Sequence, residues 1–448
     1  MAAFTPLERR AAASLSLVYA SRMMGLFLLL PVMSVLGQDL SGSTPLLIGV
    51  ALGIYGLFQA LLQIPFGILS DRFGRKRVIY FGLALMVLGS LVAAAGDSIW
   101  QVIVGRALQG AGAISAAVMA LAADLSRDSQ RTKMMAIIGA SIGLSFIASI
   151  MIGPLLMSRV GLNGIFLIIA FTGLLSALLV WLAVPDAGHI VPNRDFSTTG
   201  QQLRSVLADR ELQRLDISIM ILHLLITATF VCMPLGLIER GIAAPAHWQV
   251  YLAACALSLL VLIPLVALSE RSIRRTMLFS IAGLAVAVVF VGLSNDQWWV
   301  VVAALGLFFG FVNVLESMLP SLVSRVAPVG ARGSAMGVYS SSQFIGAFVG
   351  GVLGGWMVGS VGLQTAHIVL GCLCALWLPV TYFMQEPRRL SSYQLSLGQC
   401  SLPLAELESR LRAVAGVEEV LLVPEDQVAY LKVRRKQLDE QSLREVVA

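Results

Sequence analysis

Long apolar runs alternate with short polar breaks along this chain, and the runs have the length of a bilayer. About twenty apolar residues cross the hydrocarbon core as a helix. That ruler predicts twelve spans, at residues 12–36, 45–68, 78–96, 99–122, 133–157, 162–184, 215–237, 247–268, 276–294, 297–321, 334–359 and 363–385. A longer polar break at 186–214 divides them into two sets of six. Within it, Gln201 to Arg214 has the spacing of a surface amphipathic helix.

After residue 385 the pattern becomes that of a soluble segment, with nine basic and ten acidic residues from Glu386 onward. Ser392 to Leu397 alternates like a strand, and Leu404 to Ala415 has helical periodicity with Leu404, Leu407 and Leu411 on one face. Gly416 ends that helix. Val417 to Val423 and Gln427 to Val433 read as a hairpin around Pro424 to Asp426, and Leu438 to Val447 as a second helix. A ferredoxin-like domain carries a fourth strand, and the order here stops at the second helix.

Composition supports the membrane reading. Of 448 residues, 58% are hydrophobic and 12% charged, and the mean hydropathy is +0.86. Soluble domains carry about 25% charged residues. The net charge of +6 lies in short loops between spans, which argues against nucleic acid. The five cysteines, Cys232, Cys255, Cys372, Cys374 and Cys400, match no metal spacing and read as small apolar filler. The N-terminus lacks the cleavage pattern of a signal peptide.

The loops alternate in charge. Arg72, Arg75, Lys76 and Arg77 occupy one; Arg127, Arg131 and Lys133, then Arg271, Arg274 and Arg275, then Arg325 and Arg332 occupy others of the same set. The other set carries only Arg159 and Arg240 as exceptions. Basic loops stay cytoplasmic, so both termini are expected there.

The halves repeat a pattern. Ile64 to Arg77 reads IPFGILSDRFGRKR, and Ile263 to Thr276 reads IPLVALSERSIRRT. At an offset of 199, Pro65 meets Pro264, Asp71 meets Glu270, Arg72 meets Arg271 and Lys76 meets Arg275. Duplicated halves around a midplane site are a transporter architecture.

The segment Gly67 to Arg77, with Asp71, Arg72, Gly74, Arg75 and Lys76, resembles the loop motif of the major facilitator superfamily, which also follows the second helix. Arg106 to Gly110 resembles that family's fourth-helix motif, and Gly153-Pro154 the core of its antiporter motif, although Met157 and Ser158 stand where the motif has further glycines. The layout is similar to a Gram-negative group of the superfamily that carries a ferredoxin-like domain after the twelfth helix. The resemblance implies that the loop motif gates the cytoplasmic end and locks the outward-facing state. Asp71 can accept hydrogen bonds from a helix start. The basic residues can bridge to carboxylates across the interface between halves, with Asp124 the best candidate partner. The bland alternative is that the positive charges only set topology.

Charges inside spans are costly and mark function or structural pairs. Arg22, Arg106, His223 and Glu316 qualify. At about 1.5 Å per residue, His223 and Glu316 lie at similar depth. Burial favours a neutral carboxyl and imidazole titrates near neutral pH, so the pair is a candidate proton site; the alternative is a structural hydrogen bond between helices. Asn313 lies one turn before Glu316. Arg22 and Arg106 could bind an anionic substrate or tune protonation. Gln59, Gln63 and Gln109 could line a cavity or join helices.

The expected fold is therefore an all-α membrane protein, twelve transmembrane helices in two six-helix halves, plus a small α+β ferredoxin-like C-terminal domain. The expected divisions are 1–185, a linker at 186–214, 215–385 and 386–448. The expected function is proton-coupled antiport that exports a small-molecule substrate across a bacterial inner membrane by alternating access. A membrane sensor signalling through the tail, a facilitator without coupling, and a channel are the competing readings. No GxxxxGK[ST] motif appears. Neither enzyme chemistry nor a cofactor or metal is expected. Protons and lipid are expected partners, and the tail could self-associate.

Overall fold

A computed structural model describes residues 4–185, 200–294, 296–328, 331–385, 391–397, 402–423, 428–434 and 437–446. The first half comprises α1 (Pro6–Phe27), α2 (Met33–Leu36), α3 (Pro45–Phe73), α4 (Arg75–Ala94), α5 (Ile99–Ala111), α6 (Ser115–Asp124) and α7 (Asp128–Ala183). The linker helix is α8 (Gly200–Ala208). The second half comprises α9 (Arg210–Glu239), α10 (His247–Ser269), α11 (Ile273–Leu293), α12 (Trp298–Val326), α13 (Arg332–Ser360), α14 (Gly362–Ala375) and α15 (Leu378–Tyr382).

Among the described residues, ten helical stretches are long and apolar enough to cross a membrane. One of them, 133–183, holds two spans, because Gly161 takes φ 63° in the middle of α7 and the chain folds there. The twelfth is α1 with α2: its arginines lower the hydropathy, and the helix breaks over 28–32, where Pro31 lies. The twelve expected spans are thus present, with three differences in detail. Span one breaks after Phe27, span four at 112–114 and span twelve after Ala375, while spans five and six are separate helical segments that meet at Gly161.

The expected single helix over 201–214 is also corrected. Asp209 has extended backbone and its side chain accepts from the amides of Glu211 (2.8 Å) and Leu212 (3.1 Å), capping α9. The linker helix therefore ends at Ala208. The rest of the linker, 186–199, lies outside the described residues, as does Cys400.

Gly74 lies between α3 and α4 with φ 97°, a left-handed conformation that side chains resist. It turns the loop motif back along the basic end of the bundle. At the opposite end the two halves pack closely. Gly49 and Gly53 of α3 lie against the backbone of Gly351 and Phe348 of α13. Ser34 donates to the Phe230 carbonyl across the halves at 3.2 Å. Phe27, Phe146, Phe230 and Phe309, two from each half, form an aromatic cluster with centroids 5.2–6.4 Å apart. Edge-to-face rings at such spacing contribute about 1 kcal/mol per pair beyond burial.

The first turn of α1 is tied to the α6–α7 corner. Thr5 and Glu8 form a reciprocal cap, and Glu8 also accepts from Arg127 Nε (2.9 Å) and Nη2 (2.8 Å). The Arg127 hydrogen bond holds the Glu8 carboxyl well below the usual carboxylate range. A depressed carboxyl stabilises the fold at pH above its ordinary value of 4.5, and that contribution is lost as pH falls further. Glu8→Gln should lower the thermal midpoint at pH 7 and flatten the loss of stability on acidification. Equal acid limbs for both proteins would remove this role.

The tail forms a three-stranded antiparallel sheet, β1 (Ser391–Ser396), β2 (Val417–Val423) and β3 (Val428–Val433), in the order β1-β3-β2. With α16 (Leu404–Ala413) and α17 (Glu440–Glu445) this is the expected α+β unit. Leu407 and Leu411 meet Leu431 and Val433 in its core. The hairpin tip, 424–427, lies outside the described residues. Lys432 joins the tail to the bundle: its ammonium donates to the Arg325 (3.2 Å) and Ala327 (2.7 Å) carbonyls at the end of α12. A cation is favoured at a helix C-terminus.

Candidate functional site

Two polar clusters lie inside the bundle, one in each half, and they have opposite character. The first-half cluster holds two arginines among neutral groups. Arg22 on α1 donates to Ser115 Oγ at 2.9 Å and to Gln59 Oε1. Gln59 donates in turn to Gln63 Oε1 (3.2 Å) and Ser115 Oγ (3.3 Å). Arg106 on α5 donates to Gln109 Oε1 (2.7 Å) and the Ala51 carbonyl (3.3 Å), and Gln109 to Ser90 Oγ (2.7 Å). Tyr55 on α3 links them: the guanidinium carbons of Arg22 and Arg106 lie 5.9 Å and 4.9 Å from its ring centroid.

The second-half cluster contains an acid and a histidine. His223 Nε2 on α9 lies 3.3 Å from Glu316 Oε1 on α12. Gln343 on α13 meets the same imidazole nitrogen at 2.7 Å, so one ring joins three helices. Tyr339, one turn before Gln343, is buried with its hydroxyl unpartnered, and it lies in the electrostatic field of both Glu316 and Asp216. Asp216 stands two turns before His223 on α9, half-buried. Asn313 is half-buried one turn before Glu316.

The loop motif forms a third cluster at the basic end. Arg75, 6% exposed, pairs with Asp71 and donates to Asp124 Oδ2 at 3.1 Å and Ser70 Oγ at 2.7 Å. Lys76 donates to the Val184 carbonyl at the end of α7 (2.7 Å). Arg72 and Arg77 are exposed, and Gly67 packs against Ala116. The partnership of Arg75 with Asp124 is therefore present, but both groups belong to the first half. The bridge runs within a half where one across the interface is expected. Gly153 of the antiporter-motif pair lies against Leu28 and Pro31, at the break in α1.

Losing a charge-assisted hydrogen bond costs about 1.5–3 kcal/mol. Asp71→Asn should therefore slow transport about tenfold or more with insertion and yield unchanged. Unchanged transport would show that the Asp71 carboxylate has no part in the transport cycle.

Sequence reasoning missed Tyr55, Ser115, Tyr339, Gln343 and Asp216. Asp216 alone carried a usable signal, an acid seven residues before an intramembrane histidine on one helix face.

Comparison with known proteins gives the family. The Major Facilitator Superfamily profile matches residues 15–256 and 215–424. The inner membrane transport protein YajR of Escherichia coli is 42% identical over 437 residues, covering 96% of each chain. An uncharacterised transporter of Buchnera aphidicola is 33% identical over 77% of this chain and 89% of its own. The multidrug resistance protein MdtH of Yersinia enterocolitica is 25% identical over 83% of this chain and 94% of its own. Among solved structures, the human organic anion transporter MFSD10 superposes with a TM-score of 0.62 at 17% identity, over 84% of this chain and all of that one, which shows the shared fold. The chain is a transporter of the major facilitator superfamily.

Proposed function

We propose that this protein exports a small molecule across the bacterial inner membrane in exchange for protons, by alternating access between its two halves. The observation that carries the coupling is the His223–Glu316 contact at 3.3 Å, two titratable groups from different helices at one depth in the second half. A half-buried acid beside an imidazole inside a membrane bundle can take up and release a proton as its surroundings change. The name of the MdtH relative supports an outward direction. The basic end is read as cytoplasmic, with both termini there. The Asp71–Arg75–Asp124 cluster acts at that end as the gate, and Gln59, Gln63, Gln109 and Asn313 act as cavity positions.

The test is transport by purified protein in liposomes with an imposed pH gradient, against dyes, antibiotics and sugars. Uphill movement of a substrate that collapses with a protonophore is the expected result. Movement indifferent to the gradient would leave a facilitator and remove antiport.

A further inference from the structure

The arginine cluster of the first half lacks a counter-charge. Arg22 and Arg106 are each 1% exposed. Among the described residues no carboxylate lies within ion-pair distance of either, and every partner named above is neutral. A buried charge is costly unless it is paired. The clusters also leave donors over. Among the described residues Arg22 Nε, Arg106 Nη2 and the Tyr55 hydroxyl have no hydrogen-bond partner, although all three atoms are buried. They come from three helices, and both guanidinium groups lie beside the one Tyr55 ring.

We propose that this cluster is a binding site for an organic anion, a carboxylate or sulfonate with an apolar body. The anionic head takes the open donors of Arg22, Arg106 and Tyr55. Guanidinium groups suit carboxylate and sulfonate heads because their donors form a rigid fork that two oxygens of one head can accept together. The apolar body has a surface to meet: Tyr55 and Ala60 of the first half pack with Phe344 of the second and with Leu26. Phe344 is thus a cover supplied by the other half, and separation of the halves exposes the site. Its neighbour Gln343 touches His223, so one turn of α13 reaches both clusters.

Calling the occupant a substrate rests on the transport reading, but its binding does not. Binding is measured on the whole protein in detergent or nanodiscs, with no gradient. Benzoate and benzenesulfonate are titrated against benzamide, a neutral analogue of benzoate, and chloride. The two organic anions should raise the unfolding temperature saturably, and benzamide should not. Arg22→Gln and Arg106→Gln should each weaken benzoate binding about tenfold or more. Where a glutamine variant does not fold, Arg106→Lys keeps the charge and loses the fork, and should weaken binding as well. No saturable response to either organic anion overturns the proposal. So does an equal response to benzamide, or undiminished affinity in the arginine variants. Chloride as the sole effective anion overturns the organic class. Failed binding with intact gradient-driven transport leaves the transport reading standing; the reverse outcome leaves the site standing.

Discussion

Gly49→Val should stop transport while leaving insertion intact. Gly49 lies on α3 at the end opposite the basic loops, and a Cβ built there would collide with the Gly351 carbonyl oxygen of α13. One turn on, a Cβ on Gly53 would lie 2.7 Å from the Phe348 carbonyl oxygen. Backbone cannot rotate aside as a side chain can, so the helices must separate. Overpacking costs about 1–3 kcal/mol. A penalty of about 3 kcal/mol confined to the state with this end closed shifts the equilibrium away from it about a hundredfold. Val231, 2% exposed beside the cleft lined by Ser34, Gln38 and Val358, reports the change. In a Val231→Cys background the glycine variant should react faster with a membrane-impermeant maleimide than its parent. Equal labelling and normal transport would show that this contact is not part of the cycle.

That contact illustrates what the sequence could and could not convey. Gly49 and Gly53, and Gly346 and Gly350, stand four apart in their spans, a spacing that lets membrane helices approach closely. The spacing was visible; which helix each set meets was not, because pairing across 300 residues is a property of the fold. The spans themselves were legible because lipid enforces length and apolarity. Their interruptions were less so. The break at 112–114 falls in an apolar run, where hydropathy has no contrast to detect. The break at Gly161, where φ is 63°, by contrast falls between the expected spans 133–157 and 162–184. The similar depth of His223 and Glu316 was legible because rise per residue is fixed in a helix. Tyr55 and Gln343 were not, since an uncharged polar side chain in a span looks the same whether it packs or binds. The direction of the Arg75 bridge follows from numbering alone. Arg75 and Asp124 both fall within 1–185, so their pair lies inside one half.

Glu316→Gln should uncouple the protein from the proton gradient without emptying its binding site. Glutamine keeps the shape and can still face His223, but it cannot titrate. One pH unit stores about 1.4 kcal/mol per proton, enough to hold a substrate about tenfold out of balance if one proton is exchanged. The parent protein in liposomes should approach such a ratio, and the variant should stay near unity. Exchange of labelled for unlabelled substrate at equal pH does not need net proton movement, so it should survive in the variant within about twofold, since uniform binding energy is retained. His223→Gln tests the same site from α9. It removes the imidazole while leaving Glu316 in place, and should impair uphill transport as well if the pair acts together. A Glu316→Gln protein that still concentrates substrate against a gradient would exclude this carboxyl as the coupling group and return the His223 contact to a structural role between α9 and α12.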